Sequence, residues 1–253
     1  MSEKVLYKHS IEVHNTRASD IIIPIVFKYL EVKSVVDIGC GIGTWLNSVE
    51  NLGIKDILGI DGNYINKDQL LINLSNFIPA DLSKPFVINR RFDLVISLEV
   101  AEHIHIESSD IFIESLAKLS DNILFSAATV GQGGQNHVNE QPISYWKQKF
   151  ENFGYKFYDI IRPLIWDNEN VDVWYKQNIF IASKNDIVIN KFELPEIINI
   201  VHPELYKLRT TNLENIKNKL SLKPHEYDNL TPVLDSQIIN FIKWLNIFKI
   251  RKN

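Results

Sequence analysis

The chain of 253 residues has one cysteine, no long hydrophobic run and no marked excess of either charge. Cys40 alone can neither close an intramolecular disulfide nor build a cysteine zinc cluster. No apolar stretch approaches the ~20 residues of a membrane span, so no transmembrane segment is expected. The polar start from Met1 to Lys8 does not read as a signal peptide, and a cytoplasmic setting is the default expectation. Lys and Arg number 27 against 31 Asp and Glu, a net charge of −4, so bulk electrostatics does not favour nucleic acid. Internal repeats and low-complexity tracts are missing. What remains is an ordinary globular composition, 45% apolar and 23% charged, long enough for one large domain with an appendage.

The stretch from Ser34 to Trp45 organises the chain. Val35, Val36 and Ile38 suit a buried parallel strand. Gly39, Gly41 and Gly43 then permit a sharp turn and a close approach of backbone to ligand, and Thr44, Trp45 and Leu46 start a helix whose first N–H groups would face that ligand. The dinucleotide fingerprint needs a further glycine where Thr44 stands, so that pattern is broken. The spacing present, Asp37-x-Gly39-x-Gly41-x-Gly43, resembles motif I of the class I S-adenosylmethionine-dependent methyltransferases.

Upstream, a helix is expected with Ile21, Ile22, Ile25, Val26, Tyr29 and Leu30 on its apolar side. Ser19 or Asp20 would cap it, and Pro24 would fall in an early turn. The polar residues before it, His9, His14, Asn15 and Arg17, read either as a solvated arm or as a lid that lends groups to an acceptor. Downstream, strand and helix alternate, which argues for a parallel sheet. Strands are expected at 57–60, 76–80, 92–97 and 122–127, helices to about Leu52 and around 111–119 and 144–153. Tyr155 to Trp166 and Asp172 to Ser183 read as two adjacent strands.

Acidic residues recur at the strand tips. Asp61 follows the second strand, where a carboxylate accepts from two ribose hydroxyls; the plainer role is a turn residue before Gly62. In the family resembled, an acid such as Asp81 faces the adenine amino group with the next side chain, here Leu82, against the ring; Asp81 equally suits a turn cap before Pro85. Glu99, Val100, Ala101, Glu102 and His103 resemble a Glu-Val-x-Glu-His stretch of small-molecule members, which implies Glu99 beside the cofactor and His103 near the sulfonium. A histidine packed under the loop is the alternative. The amide- and glycine-rich loop 129–142 resembles an acceptor-lining loop and offers His137, Asn139, Glu140 and Gln141. Trp166 and Tyr175 would wall the acceptor or pack at an edge. Nothing here resembles the Asn/Asp-Pro-Pro-aromatic motif of nucleic-acid amino methyltransferases.

The resemblance thus implies a Rossmann-like α/β fold: a seven-stranded class I methyltransferase sheet ending in an antiparallel hairpin strand, with a helical C-terminal extension. The expected division is an N-terminal arm and helix (1–33), a core (34–184) and the extension (185–253), whose helices would break at Pro195, Pro203, Pro224 and Pro232. The apolar and basic piece 238–253 would dock on the domain or a second subunit, or rest on an anionic membrane surface. The cofactor implied is S-adenosyl-L-methionine, with S-adenosyl-L-homocysteine as product, and no ligand spacing demands a metal. His103 and His137 are the candidate catalytic groups; His14, Arg17, Asn139, Glu140, Gln141, Trp166 and Tyr175 would bind the acceptor. That acceptor is expected to be small and polar or phosphorylated, for example a sugar hydroxyl or a phosphoramidate oxygen of a bacterial surface polysaccharide, with the enzyme a monomer or homodimer. A non-catalytic cofactor-binding partner protein and a nucleotide-dependent oxidoreductase are the rival classes.

Overall fold

Each core strand is a short run of β-branched, leucine or aromatic residues that the pleat divides between two faces. The computed structural model describes residues 15–187 and 200–220. It places β1 (Ser34–Ile38), β2 (Asp56–Asp61), β3 (Phe77–Pro79), β4 (Leu94–Leu98), β5 (Asn122–Ser126), β6 (Lys156–Tyr158) and β7 (Phe180–Ser183) in one sheet. The order is β3-β2-β1-β4-β5-β7-β6. The first five strands pair in parallel, and β7 runs antiparallel to both β5 and β6. This is the Rossmann-like class I methyltransferase sheet, with its reversed strand near the far edge.

Alternation along the strands builds two cores. Val35, Leu94, Ile96, Leu124 and Ile181 point to the side covered by α1 (Arg17–Val26) and α2 (Thr44–Asn51). Val36, Val95, Ile123, Phe125 and Phe180 point to the side covered by α3 (Ser109–Leu119) and α4 (Ile143–Glu151). In α2, Trp45, Leu46 and Val49 recur at helical spacing and are buried. The helix stops at Gly53, whose φ of +97° an L-residue rarely adopts. Ser19 Oγ lies 2.7 Å from Ser48 Oγ, which donates to Asp20 at 2.5 Å, so α1 and α2 are joined by a buried polar contact as well as by apolar packing.

Three local expectations change. Thr16, not Ser19 or Asp20, occupies the N-cap of α1, because Ser19 and Asp20 are spent on Ser48. Pro24 lies in the last turn of α1 rather than in an early one. The two long terminal strands are short ones with helices between them. Pro163 starts α5 (Arg162–Ile165), where a proline needs no N–H partner. Arg162 is buried, ion-paired to Asp159 and donating 3.0 Å to the Gln177 carbonyl. That links α5 to α6 (Val173–Asn178). Past 200, α7 (Pro203–Leu220) starts at the expected proline and is tied to α6 by Lys176 on Glu204 at 2.8 Å. Pro195, Pro224, Pro232 and the piece 238–253 lie outside the described residues. Among those described, no helix is long and apolar enough to cross a membrane.

The second core centres on Phe125, fully buried with its ring 5.0 Å from Phe150, 5.5 Å from Phe180 and 5.6 Å from Trp146. Phe125→Ala is expected to cost about 3–5 kcal/mol, read as a shift in the denaturant midpoint at unchanged slope.

Candidate active site

Between β1 and β4 the strand order reverses direction, the place where sheets of this kind bind ligands beyond their carboxyl ends. The turn after β1 passes through Gly39, Gly41 and Gly43 at φ +84°, +55° and +85°. At Gly39 a Cβ would stand 2.3 Å from Val100 Cγ2, so side chains are excluded on steric grounds as well as by dihedral. The N–H groups of Gly39 and Cys40 donate to the Ile60 carbonyl at 2.7 and 3.2 Å, that of Gly43 to Cys40 at 2.8 Å, and that of Gly41 to Asp61 Oδ2 at 2.7 Å. These four donors are spent on the turn itself. What the turn offers a ligand is backbone bare of side chains.

Two buried acids flank it. Asp61 also accepts from the Gly62 N–H at 2.5 Å and the Tyr64 hydroxyl at 2.6 Å, so a ribose reaching this carboxylate must share it with Tyr64 or displace it. Asp37 is 2% exposed and its Oδ2 has no hydrogen-bond partner. Burial, and next the charge of Asp61, push the Asp37 carboxyl well above the usual carboxylate range.

A second polar cluster is built by the loops after β4 and β5. Glu99 has φ +54°, a strained value for a side-chain-bearing residue, and follows directly on β4. Its N–H donates 3.1 Å to Ser126 Oγ, and its carboxylate accepts from Gln132 Nε2 at 2.7 Å and Asn178 Nδ2 at 3.1 Å. Burial pushes it upward against these amides. Three residues on, Glu102 is fully buried, and its carboxylate meets no side-chain donor, only the backbone N–H groups of Glu102 itself and Ala128. Burial first, then the charge of Glu99, raises its carboxyl well above the ordinary range.

The Glu102 carbonyl accepts the Val138 and Asn139 N–H groups at 2.9 and 3.0 Å, which fastens the second loop to the first. His137 thereby lies edge-on to His103 at 5.0 Å between ring centres. Its Nδ1 is 2.9 Å from Glu140 Oε1 and its Nε2 is 3.9 Å from Glu102 Oε1. His103 Nδ1 is 3.3 Å from the Asn136 carbonyl. Burial, then His137, lower the His103 pKa to about 4, so its imidazole is neutral at neutral pH. Val100, between Glu99 and Glu102, packs against Gly39, which places the two clusters side by side. One ligand-capable atom from each of Glu102, His103 and His137 lies within 4.8 Å of the others.

Against known families, residues 12–159, more than half of the chain, match the model of the methyltransferase domain. The chain belongs to this methyltransferase family. A relative, the mitochondrial ubiquinone biosynthesis O-methyltransferase of Dictyostelium discoideum, is 28% identical over a match spanning 36% of this chain and 32% of the relative. The chain thus matches about a third of that protein's length. Among solved structures, DesVI of Streptomyces venezuelae superposes with a TM-score of 0.50 at 11% identity, covering 71% of this chain and all of that one, a likeness of fold. A magnesium protoporphyrin IX methyltransferase from Synechocystis, crystallised with bound SAM, gives a TM-score of 0.48 at 19% identity, covering 69% and 82% of the two chains.

The methyl donor implied by the resemblance, S-adenosyl-L-methionine, fits the cradle of this methyltransferase: three glycines at positive φ, Asp61 at the second strand tip, and an orphaned carboxylate oxygen on Asp37. Of the other expected site residues, Glu99, His103 and His137 converge beside that cradle. Tyr175 joins them from α6, its ring 5.2 Å from Trp45 and its hydroxyl pushed upward by burial and then by Glu99. Asp81, by contrast, is turned onto its own loop. It accepts from Ser83 Oγ at 2.6 Å and pairs with Lys84 at 2.9 Å, which hold it down to about 2. Leu82 is half-buried against the second core.

Asn139 and Gln141 bond each other at 2.9 Å, and Asn139 also bonds Ser109 at 3.0 Å. Glu140 closes the loop through the N–H groups of Gly131 and Gly133. These three shape the loop rather than project from it. Arg17 is exposed, 3.9 Å from Asp172, and Trp166 packs on His202 at 4.2 Å. His14 lies outside the described residues. Glu102, Gln132, Asn178 and Tyr64 were not singled out by the sequence. For Glu102 the signal existed, a second acid one helical turn from the first in the stretch that carries His103; for the other three it did not.

A carboxylate buried with only backbone N–H groups beside it is a stability liability. Because the folded pKa of Glu102 is raised, the penalty is present above that value and vanishes as pH falls toward 4.5 and below. Glu102→Gln is therefore expected to raise stability by about 1–3 kcal/mol at pH 8, with the gain shrinking in acid. Urea titrations of both proteins across pH measure it.

Proposed function

We propose that this chain transfers the methyl group of S-adenosyl-L-methionine to an oxygen of a small polar acceptor. The finer reading is a sugar hydroxyl, or a phosphate or phosphoramidate oxygen, of a bacterial surface-polysaccharide precursor. The observation that carries it is the position of the Glu99, Glu102, His103 and His137 cluster directly beside the glycine cradle, on the adjacent strand tips. The name of the Dictyostelium relative, an O-methyltransferase, supports oxygen as the acceptor atom.

In this reading Gly39, Gly41 and Gly43 let the donor approach the backbone, and Asp61 takes its ribose hydroxyls. When bound, the donor supplies an electrophilic methyl on a sulfonium. The protein's part is chiefly to hold an acceptor lone pair in line with it, since orientation is worth about 7–11 kcal/mol at best. An anionic oxygen needs no base. A hydroxyl acceptor benefits from a neutral imidazole within reach, and His103, kept neutral down to about pH 4, meets that condition.

Calorimetry with the donor and with its demethylated product tests the cradle, and NAD is the control. Micromolar donor binding without NAD binding is expected, and Asp61→Asn should weaken it between about 10- and 100-fold, the worth of a charged hydrogen bond. Turnover across phosphorylated and nucleotide-linked sugars then tests the acceptor class. With a hydroxyl acceptor and His103 as base, kcat/KM should stay level from pH 8 to about 5 and fall only below. An intact sample with no donor affinity would end this reading.

A further inference from the structure

Helix α7 brings one guanidinium, that of Arg209, to the carboxyl edge of the sheet. We infer that Arg209 binds an oxyanion there, and that the methyl acceptor is therefore a molecule carrying a phosphate or carboxylate group. The tie to the acceptor rests on the function proposed above; the binding of an oxyanion at Arg209 does not.

The placement comes first. A Cβ added to Gly133 would stand 2.3 Å from Arg209 Nη2 and 2.9 Å from its Cζ, so the guanidinium lies directly over backbone that glycine leaves bare. The adjacent Gln132 donates 2.7 Å to Glu99 at the tip of β4, and Asn178 Nδ2 donates to both Glu99 and Gln132. Arg209 thus stands over the loop after β5, beside the cluster that adjoins the glycine cradle. That is the side on which sheets of this kind bind ligands.

The guanidinium is also aimed. Buried Lys176 of α6 pairs with Glu204 at 2.8 Å. Gln177 donates to the Ile200 carbonyl and accepts from the His202 N–H, each at 2.5 Å, and His202 Nε2 lies 2.8 Å from the Trp166 carbonyl. Leu205 is buried as well. These contacts fix the base of α7, and Arg209 follows little more than one turn after Leu205. The same α6 carries Tyr175 against Trp45 and Asn178 onto Glu99, so the helix that anchors α7 is itself fastened to the cradle side of the site.

What the guanidinium lacks is an acceptor. Its Nε is buried with no hydrogen-bond partner. A strut between α7 and the loop would place that N–H on Glu140, but the Glu140 carboxylate is engaged elsewhere. Its Oε1 accepts from the Gly133 N–H at 2.5 Å and lies 2.9 Å from His137 Nδ1, and its Oε2 accepts from the Gly131 N–H at 2.8 Å. Glu140 acts on Arg209 as a charge, and burial works in the opposite direction. The guanidinium stays protonated throughout the physiological range, so its buried N–H carries a cost until an acceptor meets it. Nε and one Nη form a fork that takes two oxygens of a carboxylate or phosphate at once, whereas a neutral hydroxyl offers a single oxygen.

The full-length chain is titrated calorimetrically with inorganic phosphate and with acetate at constant ionic strength, chloride serving as the control. Each titration is repeated with S-adenosyl-L-homocysteine present. Saturable one-to-one binding of at least one of the two anions is expected, and the tighter of them names the group on the acceptor. Arg209→Gln should weaken it about 10–100-fold, the worth of a charged hydrogen bond. Arg209→Lys, which keeps the charge without the fork, should weaken it less. Lys207→Gln, an exposed neighbour on the same helix, should leave it unchanged. Donor affinity should be the same in all three variants. In turnover, Arg209→Gln should raise KM for phosphate- or carboxylate-bearing acceptors at least tenfold, with a smaller change in kcat.

Absence of saturable anion binding overturns the inference, as does binding that Arg209→Gln leaves unchanged. Turnover of neutral acceptors at a KM that Arg209→Gln does not move removes the anionic acceptor. Should Arg209→Gln fail to fold, Arg209→Lys carries the test, and anion affinity equal to that of the unaltered chain then counts against the fork. Anion binding that depends on Arg209 in a chain without donor affinity would keep the anion site and remove the methyl-transfer reading alone.

Discussion

One charged hydrogen bond holds the working end of this molecule together: the Gly41 N–H on Asp61 Oδ2 at 2.7 Å. It joins the turn after the first strand to the tip of the second and does so in a buried place, where a hydrogen bond to a carboxylate is strongest. The same carboxylate orders Gly62 and Tyr64. A carboxylate braced from both sides is held in one orientation, and any ligand hydroxyl that reaches it has to share it with Tyr64 or displace that contact. The cost is that the glycine N–H groups are already committed, so recognition falls to acids, shape and the neighbouring loops.

Those loops are where buried charge accumulates. Asp37, Glu99 and Glu102 are all pushed upward by burial, and one oxygen of Asp37 keeps no partner. A protein under selection for stability alone would replace such groups with apolar ones. Their clustering beside the switch point of the sheet identifies the place where stability has been exchanged for a site. The strained φ of Glu99 is part of the same pattern, since it aims the carboxylate at Gln132 and Asn178 and lets the chain turn toward His103.

The sheet supplies the rigidity this needs. Alternating side chains feed two independent apolar layers, so the strand tips are held from both faces. The appendage adds to it: α7 reaches the loop after β5 with Arg209, close to Gly133 and acting on Glu140. The extension therefore bears on the loop that carries His137.

Strand runs of β-branched residues, glycine turns and acids at strand tips are local signals. They were enough to place β1, β2, β4, β5, the helices between them and the cradle from the amino-acid order alone. The two terminal strands were overextended because aromatic and β-branched residues recur from Tyr155 to Trp166 and again from Val171 to Ile181, whereas the contacts of buried Arg162 with Asp159 and Gln177, which tie the helices between those strands together, join residues that only the fold brings side by side. Asp81 stands where the resemblance expects a ligand to the adenine, and what its position alone did not show is that it accepts from the Ser83 N–H and pairs with Lys84. The pairing of Glu102 with His137, 35 residues apart, depends on the Val138 and Asn139 N–H groups meeting one carbonyl. Nothing in the order of residues encodes that distance. Local propensity determined the elements and the donor turn; which buried charges face one another was decided only when the loops packed, because burial and contact across a sheet edge are properties of the folded chain.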